Sequence, residues 1–433
     1  MTATDTHRAI DAVFRIEQAK LIAGLTRLVR DIGVAEELAQ DALVAALEQW
    51  PRSGIPDNPG AWLMTAAKHK AIDHFRRNRL RERKAEELGY EREIEQETAQ
   101  PDPDEALDDQ FGDDLLRLVF ISCHPILSPE AQTALTLRLL GGLTSDEIAR
   151  AFLLPEPTIQ QRIVRAKRML SDKRVPFEVP RGAELEARLS SVLSVIYLIF
   201  NEGYAATAGE DWMRPQLCQE ALRLGRILAE LAREEPEVHG LVALMEIQSS
   251  RFGARTLPSG EPVLLLDQDR ARWDRLLIRR GLAAFGRAEA LNAASARAPG
   301  PYVLQAAIAA CHARAGTADQ TDWARIVGLY AKLGEVTPSP VIELNRAVAL
   351  AMLLGPEAGL NLVDALTAEP ALRTYHLLPS VRGDLLRQLG RFDEARAEFE
   401  RAAALTRNER ERNLLLARAA ACEAKSDGQK QQK

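Results

Sequence analysis

Apolar residues recur at three- and four-residue spacing along most of the chain, and the alternation of β-branched and polar residues that marks a strand is almost absent. Alanine, leucine, glutamate and arginine, which favour helices, supply this pattern. The sequence therefore predicts an all-α fold. In residues 34–50, for example, Leu38, Ala42 and Ala45 lie on one predicted line of a helix. The polar residues predicted to face solvent there are Glu36, Glu37, Gln40, Asp41 and Glu48.

Proline and glycine mark where the predicted helices end, because neither residue favours a helix interior. A cluster of both in residues 51–60 predicts a compact loop. A second cluster of prolines, in residues 176–180, predicts a linker between domains. The helices predicted on either side of these breaks cover residues 10–30, 34–50, 61–79 and 111–140, with a restart near residue 183.

Length and composition indicate a folded protein of several domains. The 433 residues allow about three domains, and contents of 46% hydrophobic and 27% charged residues are those of globular chains. The longest apolar stretch, residues 192–200, is far shorter than the roughly 20 residues that cross a bilayer. We therefore expect no membrane association and a cytoplasmic location.

The chemistry-bearing residues show no pattern of an enzyme. The four cysteines form no CxxC pair, which argues against a disulfide framework or a thiolate zinc site and favours buried thiols. The histidines have no metal-ligand spacing, and no nucleotide-binding or nucleophile motif is present in the sequence. We expect no catalytic residues, no metal and no cofactor.

The net charge of −6 conceals two basic blocks separated by an acidic one. Residues 68–79 carry a net +4 and residues 157–174 a net +5, whereas residues 81–114 carry a net −10. Two basic segments joined by a tether that like-charge repulsion keeps extended suit two separate contacts with a polyanion. Ordinary solvated helix faces would give the same counts.

Residues 142–170, GLTSDEIARAFLLPEPTIQQRIVRAKRML, have the pattern of a helix-turn-helix. Thr144 or Ser145 can cap a short first helix, and Pro157 stands where the start of a second helix tolerates proline. Ile159, Ile163, Ala166 and Leu170 then form a buried stripe opposite a row of cations and glutamines. Such a second helix fits the major groove, where arginine reads guanine and glutamine reads adenine. A plain helical hairpin is the alternative.

Residues 1–175 resemble the two domains of an extracytoplasmic-function (ECF) RNA polymerase sigma factor of the sigma-70 family. AEELAQDALVAALEQW resembles the region 2 helix that docks on core polymerase, and PGAWLMTAAKHKAIDHFRR resembles the element that opens and reads the -10 sequence. The resemblance implies a region 2 bundle over residues 1–80, an acidic linker over residues 81–110 and a region 4 helix-turn-helix over residues 111–175. It also implies promoter DNA and core RNA polymerase, through its β′ clamp helices and β flap, as partners.

The resemblance assigns three groups of contact residues. The polymerase contacts would be Glu37, Gln40 and Asp41, although each one alone fits a plain surface position. The -10 contacts would be Arg52, Lys68, His69, Lys70, Arg76 and Arg77, with a flipped base held by the loop over residues 52–59. The -35 contacts would be Thr158, Gln160, Gln161, Arg162, Arg165, Lys167 and Arg168.

Three residues of these motifs bear on how the chain would bind DNA. His69 stands where the family most often has asparagine, and Pro157 stands where many members have glycine. The first difference concerns the base preference at -10, and the second concerns the entry angle of the recognition helix. Trp62 fits the core of region 2 better than a stacking platform for a base.

Residues 181–425 lie beyond a minimal sigma factor and predict a tetratricopeptide-like α-solenoid. LLRQLGRFDEARAEFERAAAL has the spacing of one helix pair, and LNRAVALAMLLGPEAGLNLVDAL echoes it. Gly355 and Gly390 are 35 residues apart, close to that repeat period. Stacked pairs usually leave a protein-binding groove, although a stack that only stabilises the chain would look the same.

The blocks LIFNEGYAAT, LDQDRARWD and GPYVLQAAIAACHA resemble a group of sigma factors with a regulatory C-terminal extension. That group implies association with a small YCII-related protein. We interpret Asn201, Glu202 and Tyr204 as a structural or domain contact, with Gly203 supplying a positive φ at a helix end. Asp267, Gln268, Asp269 and Arg270 favour a salt-bridge network between domains over a metal site.

Two functions of other classes are alternatives for these residues. A one-component helix-turn-helix regulator with a repeat domain as sensor would bind duplex DNA alone, usually as a dimer. It would have no use for the polymerase-docking and -10 segments. A repeat-based scaffold with incidental basic helices would not depend on DNA.

Overall fold

A computed structural model describes residues 3–86, 107–152, 154–206 and 208–431, and in these residues the chain is almost entirely α-helical, as the periodicity predicts. The chain divides into two compact units, Met1–Val195 and Ile196–Lys433. The first unit contains α1 (Ala3–Val29), α2 (Ile32–Ser53), α3 (Pro59–Glu86), α4 (Leu107–Ser122), α5 (Pro129–Leu139), α6 (Ser145–Phe152), α7 (Glu156–Asp172) and the start of α8 (Ala183–Tyr204).

The second unit begins within α8 and continues to the end of the described residues. Three short 3-10 turns, Phe252–Ala254, Leu265–Asp267 and Arg270–Arg272, separate its first helices from the rest, and a fourth lies at Pro370–Leu372. Its two-residue strands are β1 (Ala208–Gly209) and β2 (Arg407–Asn408). Its remaining helices are α9 (Pro215–Leu231), α10 (Pro236–Ser249), α11 (Arg275–Ser295), α12 (Pro301–Arg314), α13 (Trp323–Val336), α14 (Pro340–Leu354), α15 (Pro356–Leu366), α16 (Leu377–Gln388), α17 (Phe392–Leu405) and α18 (Glu409–Gln431).

The loop predicted over residues 51–60 is shorter than expected. Helix α2 continues through Pro51 to Ser53. Pro51 has no N–H for the carbonyl one turn earlier, but this last turn is exposed, so water can bond to that carbonyl instead. Gly54 then ends the helix with φ +84°. Helix α3 begins at Pro59, where a missing N–H costs nothing, and the Asn58 side chain accepts from the Ala61 amide at 3.1 Å.

The predicted acidic linker, residues 81–110, falls mostly outside the described residues. Residues 81–86 extend α3, and residues 107–110 form the start of α4. Residues 87–106 lie outside what the structure describes.

In the first unit α1, α2 and α3 pack on one another, and α4 and α5 pack against α1. Leu21, Ile22 and Leu25 of α1 are buried in this core. Trp50 closes the end of α2, with the edge of Trp62 packed at 5.2 Å between ring centroids. Trp62 is half-buried, so it contributes to this packing as the sequence indicates.

In the second unit, α10 is buried on nearly all sides between α9, α11 and α12. From α12 to α18 each helix packs on the next one. Gly355 joins α14 to α15 with φ +100°, and Gly390 joins α16 to α17 with φ +75°. Both glycines therefore occupy the same place in successive helix pairs, where a positive φ requires glycine.

The turn between α17 and α18 pairs with the segment that follows α8. Strands β1 and β2 form a parallel ladder, with Ala208 opposite Arg407. The Asn408 amide, which is 1% exposed, donates to the carbonyls of Ala206 at 3.1 Å and Asp211 at 2.8 Å. The Asn408 side chain thus joins segments of the second unit that are about two hundred residues apart in sequence.

All four cysteines are buried. In the part of the chain that the structure describes, no helix combines the length and apolar character that a bilayer span requires.

Candidate nucleic-acid interface

The predicted helix-turn-helix is formed by α6 and α7. Thr144 and Glu147 form a reciprocal capping box at the start of α6: the Glu147 amide donates to Thr144 Oγ1 at 3.1 Å, and the Thr144 amide donates to the Glu147 carboxylate at 2.8 Å. Leu154 and Pro155 precede α7, and Pro157 lies in its first turn. The sequence proposed either Thr144 or Ser145 as the cap, and the geometry selects Thr144.

Helix α7 buries one stripe and exposes another. The stripe formed by Ile159, Ile163, Ala166 and Leu170 is at most 4% exposed, which confirms the predicted core face. The other face presents Gln160, Gln161, Arg165 and Arg168 to solvent, with Thr158 and Arg162 half-buried beside them.

Two polar side chains on the exposed face of α7 are paired within the helix, and two apolar side chains are also exposed. Gln160 donates to Glu156 at 2.9 Å, and Arg168 lies 3.5 Å from Asp172. Val164 is 63% exposed and Met169 is 42% exposed on the same side. Apolar side chains in such a position can contact the methyl group of thymine, a role that the sequence analysis did not assign.

Lys167, which is predicted to contact the -35 element, lies outside this exposed row, and that contact stays a prediction. Its ammonium group pairs with Glu36 Oε2 of α2, and its side chain is 20% exposed. Glu36 was predicted to face solvent, but this prediction is wrong because the residue is only 3% exposed. Its other oxygen accepts from Arg138 of α5 at 2.6 Å. A carboxylate in so dry a position requires such partners.

We call Glu36, Arg138 and Lys167 the buried ion cluster. Around it, Ser171 Oγ of α7 donates to Asp31 at 2.9 Å, and Gln18 of α1 donates to the Arg138 carbonyl at 3.2 Å. In the first unit α7 therefore packs directly on α2, whereas the bond from α1 reaches α5.

The three residues assigned to polymerase contact, Glu37, Gln40 and Asp41, are all exposed on α2. Gln40 also donates to Glu36 Oε1 at 3.3 Å. One residue of the exposed row is thus hydrogen-bonded to the buried ion cluster.

The cations assigned to the -10 sequence lie along α3 and at the end of α2. His69, Lys70 and Arg76 are exposed, and Lys68 is half-buried. Arg77 belongs to α3, but its side chain lies outside the described residues. Arg52 is exposed at the end of α2, beside a shallow depression lined by Ala45, Glu48, Gln49 and Ser53.

Glu202 and Tyr204 make contacts within the second unit. Glu202 pairs with Arg214, and Tyr204 stacks on Phe200 with ring centroids 5.7 Å apart. Asn201 is exposed.

Gly203, contrary to the interpretation from sequence, lies within α8 and has no positive φ. A Cβ there would stand 2.7 Å from the Cys218 amide nitrogen, so glycine is needed for the close approach of α9.

The salt-bridge network expected at residues 267–270 is absent among the described residues. Asp269 instead caps a 3-10 turn, accepting from the Ala271 amide at 2.9 Å. Arg270 donates to the carbonyls of His312 at 2.7 Å and Ala315 at 2.8 Å, and to the Thr321 hydroxyl at 3.0 Å. Within the described ranges no group of three or more histidine, cysteine or carboxylate side chains could hold a metal ion.

Three known families match successive segments of the chain. The sigma-70 region 2 family matches residues 13–81, and the sigma-70 region 4 family matches residues 117–170. A family of unknown function, DUF6596, matches residues 188–289.

Similar proteins fall into two groups. An uncharacterized protein of Rhizobium meliloti (strain 1021) is 42% identical over 414 residues, 92% of each chain. A probable ECF RNA polymerase sigma factor, SigI, of Mycobacterium tuberculosis (strain CDC 1551 / Oshkosh) is 27% identical over 40% of this chain and 58% of its own length. The ECF RNA polymerase sigma factor SigK of Mycobacterium sp. (strain KMS) is 29% identical over 36% of this chain and 77% of its own length.

Proposed function

We propose that this chain, which belongs to the sigma-70 family of RNA polymerase sigma factors, directs core polymerase to promoters as a cytoplasmic ECF sigma factor whose C-terminal extension regulates it. The observation that carries the proposal is the presence, in one unit, of a capped helix-turn-helix with an exposed arginine and glutamine face together with the exposed acidic row on α2. No catalytic step is part of the role.

The DNA contacts follow from exposure and charge. Arg165 and Arg168, with Gln160 and Gln161, would read the -35 element in the major groove, and Arg162 and Thr158 would support them from its edge. The exposed cations of α3, with Arg52, would hold the melted -10 strand. Lys167 would reach DNA only after leaving Glu36.

The α2 row would dock on the β′ clamp helices, and this places polymerase binding next to the buried ion cluster. Because Gln40 bonds to Glu36, and Glu36 holds Lys167 of the recognition helix, we infer that docking on α2 and release of α7 are coupled. The packing of α7 on α2 would then be the resting arrangement of the free chain.

The C-terminal extension would be a tetratricopeptide-like regulatory domain. The matching positions of Gly355 and Gly390 in successive helix pairs support the repeat, and stacked pairs commonly bind another protein. A small YCII-related protein is the partner that the family resemblance suggests. A one-component regulator is the competing function, and it differs in needing no polymerase.

Run-off transcription with purified core polymerase tests the proposal. We expect the full chain to support initiation from a promoter selected from genomic fragments, and core polymerase alone to be inactive on it. Arg165→Ala should reduce initiation at low promoter concentration, whereas Lys332→Ala, an exposed cation of the second unit, should not. Binding of the selected duplex without polymerase, and no stimulation of transcription, would favour the one-component regulator instead.

A further inference from the structure

A cluster of three arginines in the second unit lacks any carboxylate partner in the part of the chain described. Arg251 donates to Gln248 Oε1 at 3.0 Å, Arg255 donates to the Tyr204 carbonyl, and the acceptors of Arg270 are also neutral. Elsewhere in this unit Arg214, Arg226 and Arg382 each pair with a carboxylate. The cluster therefore carries positive charge that its own surroundings do not balance.

Two aromatic rings bring the three guanidinium groups together. Arg255 lies 3.6 Å from the Tyr204 ring centroid, and Arg251 lies 5.6 Å from the same ring. Arg251 is also 5.9 Å from the centroid of Trp273, and Arg270 is 4.9 Å from it. Arg251 is thus the central member, half-buried, while Arg255 and Arg270 are 6% and 8% exposed.

Several polar atoms at the cluster are buried without a hydrogen-bond partner in the described residues. The unpaired donors are Arg251 Nε and the indole nitrogens of Trp212 and Trp273. Buried polar atoms are normally satisfied, so a group of unused donors around uncompensated positive charge marks a place for an acceptor. Arginine also matches the planar geometry of carboxylate and phosphate oxygens.

The electrostatics of neighbouring groups agree with this geometry. Burial, together with the charges of Arg251 and Arg270, lowers the pKa of His312 to about 4, so the imidazole adds no positive charge at neutral pH. Burial lowers the pKa of Arg255, and the nearby Arg251 contributes to this shift. An anion among these arginines would relieve their mutual repulsion.

We propose that Arg251, Arg255 and Arg270, held together by the rings of Tyr204 and Trp273, form a binding site for a small oxyanion, a carboxylate or a phosphate. Tyr204, Arg251, Arg255, Arg270 and Trp273 all lie in the segment that matches the family of unknown function. The site does not depend on the proposed role in transcription, since its residues belong to the second unit alone.

Calorimetric titration and thermal unfolding of the full chain test this site. The probes are phosphate, benzoate and phenyl phosphate, and chloride at the same ionic strength is the control. We expect saturable binding of phosphate and of phenyl phosphate, and at least tenfold weaker binding of both to Arg251→Gln. Arg279→Gln, which removes an exposed cation of α11, is the matched control and should bind as the unmodified chain does.

The rise in Tm that a probe causes separates a binding site from a purely structural cluster. A binding site predicts that phosphate raises the Tm of the unmodified chain and does not raise that of Arg251→Gln. A purely structural role of the cation–π contacts predicts a lowered Tm in Arg251→Gln and no specific effect of phosphate on either chain. No saturable binding of any probe, or equal affinity in Arg251→Gln, would overturn the proposal.

Discussion

Replacing Glu36 by glutamine should loosen the packing of α7 on α2. The substitution keeps the size of the side chain but removes the charge that holds Arg138 and Lys167. Removing one partner of a buried pair costs about 3–5 kcal/mol. The side chains of Arg138 and Lys167 are 19% and 20% exposed and can turn toward water, so we expect the low end of that range, about 3 kcal/mol.

A distance measurement between α2 and α7 reports this opening directly. Val44 of α2 is 52% exposed and Val164 of α7 is 63% exposed, so cysteines at both positions can carry a fluorophore pair. The native thiols should not compete, because all four are buried and burial raises the pKa of Cys123 and Cys218 to about 12. A loss of about 3 kcal/mol corresponds to roughly a hundredfold increase in the ratio of open to closed chains.

During a urea titration we expect the distance change in Glu36→Gln at a clearly lower urea concentration than in the unmodified chain. Glu48→Gln removes an exposed carboxylate from the same helix and is the matched control. If both variants open at the same urea concentration, the buried ion cluster does not hold the two helices together, and the inferred coupling to polymerase docking fails with it.

Three further predictions concern the recognition helix and the second unit. Arg165→Ala should weaken the holoenzyme–promoter complex and lower the slope of log affinity against log salt by roughly 0.9, the loss of one phosphate contact, whereas Lys332→Ala should leave the slope unchanged. His312 is buried with a pKa of about 4, below its ordinary 6.5, so the folded state binds fewer protons than the unfolded state between these values. The free energy of unfolding therefore keeps its full value above pH 6.5 and falls as the pH is lowered, by about 2 kcal/mol at pH 5. Urea unfolding at pH 7.5 and pH 5 should show this decrease in the unmodified chain and a smaller decrease in His312→Gln. Asn408→Ala should lower the unfolding free energy by about 1–3 kcal/mol because two carbonyls lose a buried donor, and Asn413→Ala, at an exposed position, should not; an equal effect of both would contradict the bridging role.

Features set by neighbours within a few residues could be predicted from sequence. The buried stripe of α7 was predicted correctly because its spacing alone decides which face is apolar. The cap of α6 was narrowed to two residues because Ser and Thr are preferred helix caps, and the structure selects Thr144. Similarly, Gly355 and Gly390 mark turns that follow from local backbone requirements.

Glu36 shows why the packing between helices could not be predicted in the same way. The sequence analysis placed Glu36 at the surface because it is charged, although Ile32, Ala35 and Ala39 put it at the border of the apolar face. Its partners Arg138 and Lys167 lie 102 and 131 residues away. Only the folded arrangement decides whether a charge at such a border meets solvent or a distant cation.

Arg270 illustrates the same limit with a different outcome. Acidic residues adjacent in sequence suggested that it would form ion pairs, but the 3-10 turn uses Asp269 as a cap, and the guanidinium group points toward His312 and Thr321. The adjacent acidic residues are therefore not the partners of Arg270. Its guanidinium group has only neutral acceptors among the described residues and shares the Trp273 ring with the like charge of Arg251. Among the described residues no carboxylate pairs with Arg251, Arg255 or Arg270, and buried charge without a counter-charge costs free energy. Together with the unpaired donors around these arginines, this supports an anionic ligand.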